Sequence, residues 1–152
     1  MGILDSIIGE ENKTFSKEEK AENIYVERKM PVIPFRVSTS FLPLRLSAMK
    51  ANSVNLVIKL INITKDRHLV SVDVSLPKSR LLGFDQTCIN KAVEKRLGEI
   101  GPGESAEVSI PVWANNQTES GEYEMDVTAY AHYQDYNKVL ASVKRKASLR
   151  VV

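Results

Sequence analysis

The run from Leu69 to Leu76 constrains the fold more than any other part of this chain. Val70, Val72, Val74 and Leu76 fall on one side of an extended strand, and Ser71, Asp73 and Ser75 on the other. Successive side chains of a strand point to opposite faces, so this alternation describes a strand with one buried and one wet face. A helix would scatter the same residues around its axis.

The pattern recurs. Val54, Leu56, Ile58 and Leu60 share a face, and Val57 and Ile61 lie opposite, as expected of a central strand. Ala106, Val108, Ile110 and Val112 alternate, as do Tyr123, Met125, Val127, Ala129, Ala131 and Tyr133. The last strand places Val139, Ala141, Val143, Ala147, Leu149 and Val151 together. Ile24-Tyr25-Val26, Phe35-Arg36-Val37 and Leu42 to Leu46 are shorter β-prone runs, and Pro43 marks an edge or a bulge. Residues 78–91 read as a long connection with a possible helical turn, and Ala92 to Leu97 as strand or helix. Gly101-Pro102-Gly103 is a turn, since it supplies a fixed φ and positive-φ positions. Short strands with turns between them and almost no helix imply an all-β antiparallel sandwich with a Greek-key path.

Residues 1–22 differ. Ile3, Leu4, Ile7 and Ile8 repeat at helical spacing, and a polar run rich in lysine and glutamate follows. The expected organisation is an amphipathic segment and polar arm over 1–22, then a sandwich over 23–152. The apolar cluster is too short for a stable isolated helix. It is therefore expected to dock on a protein partner or a second copy, making Ile3, Leu4, Ile7 and Ile8 the candidate partner-binding residues.

Composition narrows the function. The chain has 152 residues with 43% apolar and 26% charged side chains, a globular balance sized for one domain. Net charge is only +2, far from the basic footprint of a dedicated nucleic-acid domain. Tyr130, Tyr133 and Tyr136 do neighbour Lys144-Arg145-Lys146, and stacking rings beside cations are how single strands are held. Tyr133 is expected in the core and acids on the adjacent strand offset the charge, so no nucleic-acid partner is expected. No stretch approaches the roughly 20 apolar residues of a membrane span. The lone Cys88 permits no internal disulfide, and the first ten residues carry acids where a signal peptide would be basic. The expected compartment is the cytoplasm, where the sequons at Asn12, Asn62 and Asn116 are chance matches.

Catalysis needs a constellation that is not visible. The two histidines, His68 and His132, are far apart in sequence and are expected on the surface. Cys88 has no base in view and is expected to be inert. Glu122, Glu124 and Asp126 alternate on one wet strand face, which suits solvated charge better than calcium. No catalytic residue, metal site or cofactor is expected, and the chain is not expected to be an enzyme. An alternative to protein docking is a site for carbohydrate or another ligand. Trp113 should face away from the core, close to Asn115 and Asn116, where an indole could stack on a sugar ring.

Four stretches carry a family resemblance: Val57-Ile58-Lys59-Leu60-Ile61-Asn62-Ile63-Thr64, Val72-Asp73-Val74-Ser75-Leu76-Pro77, Ile100-Gly101-Pro102-Gly103-Glu104-Ser105 leading into Val108-Ser109-Ile110-Pro111-Val112, and Gly121-Glu122-Tyr123-Glu124-Met125-Asp126-Val127. From Asn52 to Val152 the chain resembles immunoglobulin-like modules of archaea and bacteria, including the alpha-galactosidase-associated and bacterial cell-adhesion-related domains. The resemblance implies an immunoglobulin-like β-sandwich that works as a spacer, docking or scaffold module and not as a catalyst.

Overall fold

The computed structural model describes residues 33–152. Ile3, Leu4, Ile7 and Ile8, and the run Ile24-Tyr25-Val26, lie outside the described residues.

Among the described residues nine strands form two sheets. In chain order they are β1 (Phe35–Leu42), β2 (Arg45–Leu46), β3 (Asn52–Asn62), β4 (His68–Ser75), β5 (Leu82–Gly83), β6 (Ala92–Ile100), β7 (Ser105–Ala114), β8 (Gly121–His132) and β9 (Val139–Val151). One sheet has the order β1-β3-β7-β5, and the other β2-β9-β8-β4-β6. All pairings are antiparallel except β2 with β9. This is the immunoglobulin-like arrangement: an extended sheet with β8 between β9 and β4, facing a sheet with β3 near its centre.

Alternation builds the core as expected. Val54, Leu56, Ile58 and Leu60 of β3 and Val70, Val72 and Val74 of β4 are buried, and they meet Ile110, Val112, Met125, Val127 and Leu149 from the other strands. Pro43 separates two strands that belong to different sheets, so the chain changes layer there. Residues 78–91 hold only the short β5 and turns, and 92–100 is strand throughout.

Buried polar groups tie the ends together. Asn62 is fully buried at the end of β3. Its Nδ2 donates to the carbonyls of Asp66 (2.8 Å) and Ile100 (2.9 Å). Its Oδ1 accepts from the Thr64 amide (2.9 Å) and hydroxyl (2.7 Å). The Asn-x-Thr sequence is therefore a structural clasp, and the side chain that a sequon would modify lies inside the fold. Tyr123, near the start of β8, donates its hydroxyl to the carbonyl of Glu119 (2.6 Å). That is the tyrosine-corner geometry of immunoglobulin-like sandwiches.

Two expectations need correction. Met125 opposes Ala147 and Ala129 opposes Val143, as the apolar faces require, but the register shifts between Ala131 and His132. His132, not Tyr133, then opposes Val139. The extra residue turns the tip outward, leaving Tyr133 52% and Val139 56% exposed instead of in the core. Positive φ in the hairpin loop falls on Gln134.

Candidate interaction surface

The outer face of the five-stranded sheet carries most of the side-chain chemistry among the described residues. Ser71 on β4 and His132 on β8 project from it, yet they are only 1% and 6% exposed. Ser71 Oγ and His132 Nε2 are 2.7 Å apart. Tyr136 packs edge-on against the imidazole, with ring centroids 5.1 Å apart. Arg96 of β6 lies 4.6 Å from the Tyr136 ring centre. A bulge causes this closure. Between Val70 and Ser71 the β4–β6 register shifts, and Gly98 takes a positive φ of 79°. The Gly98 amide then donates to the Tyr136 hydroxyl (3.1 Å), so the β8–β9 loop is pinned over the sheet.

His132 is thus not the surface residue expected from sequence. Nothing in this cluster builds a nucleophile, since Ser71 is shut away from solvent and His132 Nδ1 has no hydrogen-bond partner to orient the ring. His68 is half-buried and shares a 3.0 Å contact with Thr64. Cys88 is buried and its thiol donates to the Trp113 carbonyl at 3.3 Å. Burial pushes that thiol's pKa up, with Lys91 opposing. The two histidines and the cysteine therefore belong to three separate settings.

Beside the cluster an open groove of about 610 Å³ is lined by Asp73, Glu94, Asp126, Thr128, Tyr130 and Lys144, among others. Partial burial, and then Glu94, raise the Asp73 pKa. Across β8 and β9 the acids are matched by cations. Asp126 meets Lys146 at 2.7 Å and Glu122 meets Arg150 at 2.8 Å. Glu122 also accepts from Ser148 at 2.6 Å, and this bond, followed by Arg150, lowers its pKa. Among the described residues no group of acids, histidines and cysteines is arranged to hold a metal.

The other predicted surface is divided. Trp113 on β7 points away from the core and is half-buried. Asn115 spends its side-chain oxygen on its own loop, accepting from the Gln117 amide at 2.8 Å. Asn116 is exposed.

The sheet edges offer more. β9 pairs with β8 along its length, but β2 covers the opposite edge only at Arg150 and Val151. Val152 donates to Leu46 and accepts from Ala48, so its backbone groups point away from β8. Those directions alternate along a strand, so Ser142, Lys144, Lys146 and Ser148 also aim N–H and C=O at the open edge. No described strand pairs with them there. Arg145 opposes Val127, on the core-facing side, yet is exposed, its guanidinium donating to the Lys144 carbonyl at 2.8 Å.

No family model matches the chain, and no curated protein matches it. Its fold is shared with bacterial alpha-2-macroglobulin.

In a structure of native Escherichia coli alpha-2-macroglobulin spanning domain MG7 to the C-terminus, the match has a TM-score of 0.55 and 21% identity. It covers 78% of this chain and 16% of that one. The native conformation of the same protein matches with TM-score 0.54 and 19% identity over 80% of this chain and 7% of that one. The trypsin-activated form matches with TM-score 0.51 and 19% identity over 79% and 7%. The chain thus corresponds to a small part of those proteins, and the likeness is one of fold. No helix among the described residues is long and apolar enough to cross a membrane.

Sequence reasoning missed the burial of Ser71 and His132. The one available signal was an aromatic-rich tip, with Tyr130, Tyr133 and Tyr136 around a histidine on an otherwise wet face.

Proposed function

We propose that this protein is a non-catalytic interaction module that receives an extended segment of a protein partner along the open edge of β9. The observation that carries this reading is the row of outward backbone groups at Ser142, Lys144, Lys146 and Ser148, which no described strand pairs. Such an edge is a template for strand addition, in which main-chain hydrogen bonds supply affinity and alternate side chains supply selectivity. The immunoglobulin-like fold supports the reading, because its sheets present edges and loops on a rigid frame. The kinship with alpha-galactosidase-associated and cell-adhesion-related modules belongs to the same proposal, as does a cytoplasmic setting, which the single buried thiol of Cys88 suits.

The test is a paired pull-down from native lysate with the parent chain and Ser142→Pro. Proline there removes one outward N–H without changing charge or breaking the β8 ladder. Partners recovered by the parent and lost by the variant, at unchanged thermal stability, support the edge. An identical set of recovered proteins refutes it.

A further inference from the structure

We infer that the segment received by β9 is acidic, with carboxylates at two neighbouring positions, one for each face of the sheet, and an apolar residue at the end that reaches the β8–β9 hairpin. This deepens the edge reading above and rests on it.

The charges at the edge are unequal in their commitments. Lys146 is held by Asp126 and Arg150 by Glu122. Lys144 and Arg145 form no ion pair within the described residues, where the ion pairs are Arg96–Glu94, Lys146–Asp126 and Arg150–Glu122. A strand laid beside β9 would place one side chain on the outer face next to Lys144 and a neighbour on the inner face next to Arg145. Carboxylates at those places form cross-strand pairs, whereas lysines would stand against like charge. β8 shows the same arrangement on the other flank, where Glu122 and Asp126 meet Arg150 and Lys146.

The hairpin end of the edge is apolar. Leu140 is 57% exposed, beside the outward-turned Val139 and Tyr133. An apolar residue of the incoming strand would cover this patch. The edge argues against a second copy as the occupant. Two β9 strands paired antiparallel about Arg145 would bring together both sets of Lys144, Arg145 and Lys146, and like charges directly opposite are destabilising.

Amide hydrogen exchange on the full chain reads this residue by residue. The probes are a capped threonine-rich peptide that carries two adjacent glutamates and ends in leucine, and its lysine-for-glutamate counterpart. In the free chain the amides of Ser142, Lys144, Lys146 and Ser148 should exchange fast, while those of Val143, Arg145 and Ala147 are protected by β8. The glutamate peptide should protect the fast set alone and bind about tenfold tighter than the lysine peptide at low ionic strength, as two exposed ion pairs allow. Lys144→Glu combined with Arg145→Glu should reverse that preference while leaving the slow set protected, which shows that the fold is intact.

Equal protection by both peptides would overturn the acidic partner and leave the edge reading standing. No protection by either would overturn both. Protection of the fast set in the free chain at low concentration, or on raising its concentration alone, would overturn both by making the chain itself or a second copy the occupant. Protection by a single-stranded thymidine oligonucleotide in place of the glutamate peptide would overturn the inference too.

Discussion

Replacing Asn62 by alanine should cost this domain a large part of its stability. The side chain is fully buried and makes four hydrogen bonds, to the Asp66 and Ile100 carbonyls and from the amide and hydroxyl of Thr64. Three of these involve groups near the surface of the β3–β4 turn, which water can reach once the amide is gone, so each is worth about 0.5–1 kcal/mol. The fourth accepts at Ile100, itself buried at the end of β6. That bond is lost inside the fold, where water does not replace the donor, a cost of about 1–3 kcal/mol. The sum is about 2.5–6 kcal/mol, against a typical domain stability of about 5–15 kcal/mol. For a chain of this size the melting temperature should fall by about 10 °C. Urea denaturation with thermal melting measures both quantities, and Asn55→Ala, at an exposed position of the same strand, is the control. If Asn62→Ala loses no more than Asn55→Ala, the clasp is not what closes this end of the sandwich.

Three further outcomes follow from particular contacts. Gly83→Ala should destabilise by about 1–3 kcal/mol or more in urea titration, because a Cβ there would sit 2.7 Å from the Cys88 carbonyl carbon, a backbone atom that cannot swing aside; an unchanged midpoint would show that the 84–88 turn moves freely. Asp73→Asn should stabilise the protein near neutral pH. Partial burial, then Glu94, raise the Asp73 pKa in the folded state, so its contribution falls as pH rises from the unfolded value of about 3.9 through the folded one. The gain should vanish below the unfolded value, and a gain independent of pH would contradict this. Arg145→Val should leave the monomer fold intact but produce species larger than the parent in size-exclusion chromatography, because the new valine, flanked on its face by Val143 and Ala147, would complete an uncharged edge; a variant that elutes as the parent does would remove Arg145 from any guarding role.

Most of the strand framework was legible because burial of one sheet face writes alternation into the sequence. β3, β4, β7 and β8 each carry three or more apolar residues at period two, and a slip by one residue would expose all of them. β6 was ambiguous for a physical reason: as an edge strand it sends only the partly buried Val93 and Leu97 and its last residue, Ile100, to the core, so Glu94, Lys95 and Arg96 obscure the pattern. The tip of the β8–β9 hairpin was misplaced because Val139 and Leu140 are both apolar. Either could have faced inward, and the bulge that decides between them leaves no mark in residue type. The clasp at Asn62 was visible as a turn sequence, but its burial depends on the Ile100 carbonyl arriving from 38 residues away. The β9 edge was half visible. Arg145 falls between Val143 and Ala147 on the core-facing side of its strand, although only the shortness of β2 shows that no other described strand covers the edge beside it.

A charged residue at an inward position of an edge strand is a known means of preventing edge-to-edge aggregation, and that alone would explain Arg145. It does not explain why, among the described residues, Lys144 has no acid when Lys146 and Arg150 on the same strand have one. A guard needs only repulsion between copies, and one inward arginine supplies it. Two neighbouring cations, one on each face of the strand and neither in an ion pair among the described residues, also attract any strand that brings two neighbouring carboxylates. Specificity built this way has a repulsive and an attractive half carried by the same side chains. Charge reversal reads the attractive half: with glutamates at 144 and 145 an acidic partner is lost and a basic one gained.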